Sequence, residues 1–353
     1  MGYNRSTLIK PYNSTKFSKF FITLIFVFIM AIPLFAWAND FGSAFKAAQS
    51  AFPPYPIFGG IGGAWVAVPY PASDNPACTA IFFENKKKFS FYTNPNWIHF
   101  NNGPETRVLI SGLMFPLYGG GLKLSYVDIN SGNAATKMEF IGKKLDLDMK
   151  VKQIRISYGR KIHSKIYLGI SFSPWIDGDI RFKHERIISV KSENEIGINI
   201  KPGVLYQPLK GWYLGLIFNY AEDKTHTNAT FFPSFVTPIK LKSKVESISR
   251  IWRLGTAWQP RRGTLLAFDW QVGEIDSRLG KYDINMTFMG VEQYLCENFA
   301  IRAGYLDEGL TLGAGFLNKN LSIQYAYNNE SLQDLQPYTG SSSTHLISIS
   351  IFF

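Results

Sequence analysis

The residues that would first be asked to hold a metal or attack a substrate are five histidines, His99, His163, His184, His226 and His345, and two cysteines, Cys78 and Cys296. Zinc sites bring three or four such ligands together, and a sequence usually announces them by CxxC or by closely spaced histidines. Here each histidine stands alone and there is no CxxC pair, so neither a metal nor another cofactor is expected. The histidines also lack a serine or acid partner at any spacing that suggests a triad, so no enzyme activity is expected. Two cysteines do not build a disulfide framework; a single bridge in an oxidising compartment and two idle thiols both stay open.

Charge narrows the partners. The chain carries 37 basic and 26 acidic residues. Arg5, Lys10, Lys16 and Lys19 fall in a segment that reads as a removable leader, which leaves 33 − 26 = +7. Apart from Lys86-Lys87-Lys88 the basic residues come in ones and twos, without the patch that nucleic acid requires, so no nucleic-acid partner is expected. With 16% aromatic residues, 18% charged residues and 30 glycines, the chain is poorly suited to long helices. A mean hydropathy of -0.03 fits a soluble protein, but equally a transmembrane β-barrel, whose lipid-facing residues alternate with polar ones.

The elements that must position these residues follow from periodicity. Residues 1–38 have a basic start, an apolar run from Phe20 to Leu34 and a small-residue Ala36-Trp37-Ala38 site, the form of a cleaved signal peptide. From 86 to 353 the chain breaks into segments with a period of two. In Leu321 to Asn328, Leu321, Ile323, Tyr325 and Tyr327 share one face, and Ser322, Gln324, Ala326 and Asn328 the other. Such segments predict fourteen strands, at 86–100, 105–115, 119–129, 149–159, 165–175, 193–206, 211–221, 244–259, 263–273, 282–295, 298–306, 309–317, 319–328 and 343–353. Every even-numbered connection is short, and the long ones, 130–148, 176–192, 222–243 and 329–342, are all odd-numbered, the asymmetry of a barrel with tight turns on one side and external loops on the other. A soluble β-sandwich also has many short strands. Aromatics flanking the strands, among them Trp97, Tyr118, Trp175, Trp252 and Trp270, argue for a membrane girdle instead. The expectation is an all-β, 14-stranded antiparallel transmembrane β-barrel.

Residues 39–85 break the rhythm. Pro53, Pro54, Pro56, Pro69 and Pro71 with Gly59, Gly60, Gly62 and Gly63 forbid a regular strand, and the apolar residues between them need burial. The lumen of a fourteen-stranded barrel is the place for them, so this segment is expected to be an N-terminal plug. Its run Gly59-Gly-Ile-Gly-Gly-Ala-Trp-Val-Ala-Val68, followed by Asp74-Asn-Pro-Ala77, resembles the plug signature of the long-chain fatty-acid transporter FadL family and its PorV/PorQ relatives. Gly290 to Tyr294, Ile301 to Tyr305, Gly313 to Gly315 and Tyr325 to Tyr327 are similar to the closing hairpins of the PorV-like branch. The stretch between the two plug motifs, Pro69 to Ser73, departs from the family pattern, and Cys78 replaces a glycine.

The resemblance assigns the plug role to Gly62, Gly63, Ala64, Asn75, Pro76 and Ala77. It implies a monomer in the bacterial outer membrane, surrounded by outer-membrane lipid, that passes hydrophobic small molecules such as long-chain fatty acids without energy coupling. Alternation directs Arg155, Arg253 and Arg302 inward, which makes them candidates for a ligand head group; the alternative is a structural ladder with acids such as Asp269 and Glu292. The alternating end Ile347, Ile349, Ile351 and Phe353 resembles the signal read by the barrel assembly machinery. PorV-like relatives imply a second function, an accessory barrel of a secretion system that holds secreted proteins through its external loops. Phe231-Phe232-Pro-Ser-Phe235 would suit such a contact or a greasy entry groove.

Overall fold

Strict alternation lets a sheet present one face to lipid and one to a polar interior, and a membrane wall must also leave no strand edge unpaired. The computed structural model shows both. It describes residues 59–61, 63–70, 73–84, 89–100, 105–131, 134–140, 143–184, 188–231, 239–277, 280–306, 309–329 and 342–353. The expected signal peptide, 1–38, and the first part of the expected plug, 39–58, lie outside them, as do Gly62 and residues 232–238.

The strands are β1 (Ser90–Phe100), β2 (Thr106–Leu117), β3 (Gly120–Asn130), β4 (Ala134–Phe140), β5 (Lys143–His163), β6 (Ile166–His184), β7 (Ile188–Leu209), β8 (Trp212–Phe231), β9 (Ile239–Arg261), β10 (Thr264–Ser277), β11 (Gly280–Cys296), β12 (Phe299–Leu306), β13 (Gly309–Leu317), β14 (Leu321–Asn329) and β15 (Ser342–Phe352). Sequence neighbours other than β3 and β4 pair antiparallel, β1 pairs with β15, and β3 pairs with β5 over Gly120–Arg160 to Asn130–Lys150. The sheet therefore closes into a barrel of fourteen strands. The fifteenth, β4, is a short side strand paired to the far part of β5, opposite residues that β3 is too short to reach. Each of the fourteen expected segments falls on its own barrel strand.

At one end the hairpins turn in about two residues. Tyr118 and Gly119, both at positive φ (46° and 74°), close β2 to β3, and Gly211 (78°) and Gly263 (86°) serve β7–β8 and β9–β10. Only glycine adopts such angles without strain, and the turns keep the strands in register. The other end corrects the sequence reading. Residues 176–192 and 222–243 are mostly strand rather than loop: β6 runs to His184, β7 starts at Ile188, β8 runs to Phe231 and β9 starts at Ile239. The expected loop 130–148 likewise holds β4 and the start of β5. The pleat continues past the membrane because the ladder satisfies its own hydrogen bonds, and water can solvate the polar faces. β5 to β9, of 21, 19, 22, 20 and 23 residues, form a tall crown, whereas β12 to β14, of 8, 9 and 9 residues, are just long enough to cross the hydrocarbon layer.

The faces separate as alternation demands. Ile170, Phe172, Trp252, Leu254, Phe268, Trp270, Ile323 and Ile349 are exposed outward, while Lys123, Ser125, Arg253, Asp269, Glu292, Arg302 and Gln324 are buried inside. No helix among the described residues is long and apolar enough to cross a membrane. Inside the wall, 59–61, 63–70 and 73–84 form the described part of the plug. It ends in a 3-10 turn, Pro76–Cys78, N-capped by Asn75, and a short helix α1 (Thr79–Glu84).

Candidate functional site

The plug is seated on wall positions that carry no side chain. A Cβ added to Gly313 on β13 would lie 2.9 Å from the Gly60 Cα. One added to Gly290 on β11 would strike the Ile61 backbone, and on Gly215 of β8 the Val66 carbonyl. Gly121, Gly159, Gly169 and Gly203 lie side by side on β3, β5, β6 and β7, since Gly121 pairs with Gly159, Gly159 with Gly169, and Gly169 with Gly203. Their missing side chains make room for Asn75, Pro76, Ala77 and Thr79. The asparagine closes this seat: its Nδ2 donates to the Val66 carbonyl (2.8 Å) and to the Val204 carbonyl of β7 (3.1 Å), while its Oδ1 accepts from the Ala77 amide (3.0 Å). Gly63, at φ 77°, turns the chain where any Cβ would press on the Phe288 ring at 3.0 Å.

Ion pairs hold the plug from the other half of the wall. Asp269 Oδ2 on β10 accepts from the Trp65 amide (2.7 Å), the Val66 amide (2.9 Å) and Arg253 Nε (3.1 Å). Arg253 Nη2 donates to the Gly63 carbonyl, and its guanidinium lies between the rings of Trp65 and Phe288, 4.5 and 3.8 Å from their centroids. Arg302 Nε donates to Glu292 Oε2 (2.6 Å), and the other Glu292 oxygen accepts from the Tyr70 hydroxyl at 2.5 Å. Burial and then the Glu292 carboxylate push that phenol well above its ordinary value. At the turn end, Glu84 of α1 accepts from Lys161 (2.5 Å) and Tyr167 (2.8 Å).

A third cluster differs in charge balance. Asp74 accepts from Arg155 Nη1 (2.6 Å) and from Lys201 Nζ, while Lys123 Nζ donates to the Ser73 carbonyl next to it (2.9 Å). Three cations thus surround one carboxylate. Burial alone would raise the Asp74 carboxyl, but Arg155 and Lys201 outweigh it and hold the group well below the usual carboxylate range. Arg155 is the most open member, its side chain 22% exposed.

The wall is broken beside this cluster. Pairing of β6 with β7 stops at Phe172–Ile200 and resumes in the same register at Gly178–Asn194. Residues 173–177 and 195–199 therefore face each other without ladder pairs. The β5–β6 register shifts in the same place, between Ile154 and Ile156, the residues flanking Arg155, and β7–β8 shifts between Glu195 and Ile198. Pro174, inside the unpaired stretch, lacks the N–H that a regular ladder would use. Phe172 and Ile198, at either side of the break, are 43% and 48% exposed.

The sequence-predicted residues divide accordingly. Gly63, Ala64, Asn75, Pro76 and Ala77 lie in the plug against the wall; Gly62 is outside the described residues. Arg253 and Arg302, 2% and 4% exposed, are engaged by Asp269, Glu292, Gln324 and the Gly63 carbonyl. Of the three candidate arginines, Arg155 alone borders the wall break. Lys123 and Lys201 were missed, although the alternation that turned Arg155 inward applies to them equally. Ile347, Ile349 and Ile351 share the outward face of β15, with Phe353 exposed beyond its end. Cys78 is buried in the 3-10 turn of the plug with its thiol pushed up to about 12 by burial, and Cys296 is exposed; both are free. Among the described residues no cluster could hold a metal ion.

The sequence matches no protein-family model and none of the curated proteins. The fold does have solved counterparts. The toluene transporter TbuX of Ralstonia pickettii superposes with a TM-score of 0.59 at 13% identity, over 85% of this chain and 98% of that one. The CymD monoaromatic hydrocarbon channel gives 0.59 at 14%, over 84% and 96%. A FadL homologue from Pseudomonas aeruginosa gives 0.55 at 13%, over 85% and 98%. At such identities the likeness is one of fold.

Proposed function

We propose that this chain, a fourteen-stranded barrel with the FadL-type fold of bacterial outer-membrane transporters, passes hydrophobic molecules across that membrane without energy coupling. The observation that carries this reading is the break between β6 and β7, rimmed by apolar residues and lying beside the seated plug. Unpaired backbone is costly in lipid and is tolerated where it borders a polar or ligand-filled space. A hydrophobic molecule that reaches the lumen above the plug can leave through such a gap. A cysteine pair at Ser173 and Asn199, in a Cys296→Ser background, would close the gap when oxidised. Uptake of toluene into reconstituted vesicles is expected to fall at least ~10-fold on oxidation and recover on reduction; unchanged uptake sinks the reading.

The cations around Asp74 extend it to molecules with a carboxylate head, long-chain fatty acids among them, with Arg155 as the contact. Arg155→Gln is expected to slow fatty-acid passage and leave toluene passage unchanged. Equal loss for both would assign Arg155 to plug seating. The second reading, a barrel that holds secreted proteins, has its surface in the crown of β5 to β9. Shortening the β6–β7 crown would then abolish protein retention and spare uptake.

A further inference from the structure

The outward face of the crown carries a row of positive charge that neither the lumen nor the wall break uses. Register defines the row. Asp148 pairs with Arg181, Arg181 with Lys191, Lys191 with Asn228, and Asn228 with Lys242, across β5, β6, β7, β8 and β9. Directly paired residues share a face, so these five side chains point the same way. That way is outward: β8 and β9 pair without a register shift from Trp212–Trp258 to Phe231–Ile239, and Lys242 has the parity of Trp252, Leu254 and Trp258, the lipid-exposed residues of β9. Lys240 and Lys244 flank Lys242 on the same face and are exposed.

The row is unusual in sign. Arg181 and Lys191 are like charges directly opposite each other, an arrangement that costs stability in a bare antiparallel pair. Arg181 is held upright by Asp179, whose Oδ2 accepts from its Nε (2.9 Å) and Nη2 (2.5 Å). In the next row toward the membrane Lys150 pairs with Asp179 and His226 with Lys244, so that row is mixed in sign.

The level of the basic row can be estimated. A strand tilted by ~40° climbs ~2.5 Å per residue along the membrane normal. The outward apolar residues of β9 run from Trp258 to Trp252 and give way to Arg250, paired with Glu274, so Lys242 stands ~20 Å above that edge. An anion bound there belongs to the sugar layer of the outer leaflet and not to the lumen.

We propose that the row Arg181, Lys191 and Lys242 binds the phosphate groups of a phosphorylated outer-leaflet glycolipid. The anion lies along this row on the outward face, tethering a glycolipid above the β6–β7 break. This rests on the outer-membrane reading above. The test keeps the two apart by first confirming that the full chain is heat-modifiable in detergent, as a closed barrel is; an unmodifiable chain fails the barrel reading itself. Lipopolysaccharide with a phosphorylated inner core, and the same material after enzymatic removal of phosphate, are then titrated against the folded chain by native mass spectrometry. The phosphorylated form is expected to bind at least ~10-fold more tightly, with the difference shrinking as salt rises. Arg181→Gln/Lys191→Gln/Lys242→Gln is expected to remove it, and Lys191→Arg/Lys242→Arg to preserve it. Equal binding of both lipopolysaccharides, or undiminished preference in the glutamine variant, overturns the proposal, as does full competition by millimolar inorganic phosphate. Should the glutamine variant not fold, the comparison of the two lipopolysaccharides on the native chain still decides.

Discussion

Single residues set how firmly the plug is held and which groups can react. Asp74 pairs with both Arg155 and Lys201 and lies beside Lys123, so removing its charge leaves three cations crowded in the lumen. Breaking a buried pair from one side costs about 3–5 kcal/mol, and Asp74→Asn is expected to make the plug segment accessible to protease at neutral pH while the barrel stays heat-modifiable. The sign of the pH dependence follows from its depressed carboxyl. A group whose folded pKa lies below its unfolded value contributes stability that is present above the unfolded value, ~3.9, and is lost as pH falls toward the folded one. Proteolysis of the native plug should therefore stay unchanged from pH 7 to about 5 and rise only in stronger acid; a rise near pH 6 would mean that another group controls the seat. The two thiols should also behave differently. Cys78 stays protonated and shielded, whereas Cys296 faces solvent, so a thiol alkylator should modify one cysteine per folded chain and both after denaturation.

At the scale of elements, the plug and wall fit because four adjacent strands each surrender a side chain at the same height. Gly169 shows the constraint most sharply, since a Cβ there runs into the backbone of Pro76 and Ala77, which a side-chain rotation cannot relieve. Gly169→Val is expected to unseat the turn Pro76–Cys78 and raise protease access to the plug, with barrel closure retained; Gly119→Val, in the β2–β3 turn, should lower the yield of folded barrel instead, because its φ of 74° is one that valine rarely adopts. A β6 that continues ladder pairing up to Gly178 would seal the wall, so Pro174 is an element of the break as much as the unpaired residues are.

At the scale of the molecule, closure joins the first strand to the last. β15 pairs on one side with β14 and on the other with β1, and the Phe353 amide donates to the Phe89 carbonyl beyond the last ladder pair. We propose that its outward Ile347, Ile349 and Ile351 with Phe353 form the assembly signal. Deleting Phe353 is expected to reduce the heat-modifiable fraction in the outer membrane several-fold while refolding from denaturant into detergent is little changed. Equal losses in both settings would assign the residue to closure alone. The barrel is also lopsided, with a crown over β5 to β9 and a low wall at β12 to β15, and the wall break and the basic row both lie on the high side.

The fourteen barrel strands, the short-turn end and the plug were legible in the sequence because each rests on a local rule. A period of two separates lipid from lumen, glycine marks the turns, and a proline and glycine cluster cannot join the ladder. The inward direction of Arg155, Arg253 and Arg302 followed from the same parity, as that of Lys123 and Lys201 should have. What the sequence left undecided was pairing across distance. Arg253 and Arg302 are matched to Asp269 and Glu292 by the register of neighbouring strands, and Arg155 is drawn to Asp74 only because the plug crosses the lumen at that height. Polar composition suggested loops where the crown stands, since alternation without a lipid-facing apolar set reads as a solvated connection. The break at β6–β7 likewise has no local signature beyond Pro174, because a missing ladder bond is a property of two strands and the plug beside them. Sequence fixes which way each side chain points, and tertiary structure decides which side chains meet, because register is set between neighbouring strands, as for Arg302 and Glu292, and plug position by contacts far along the chain, as between Arg155 and Asp74.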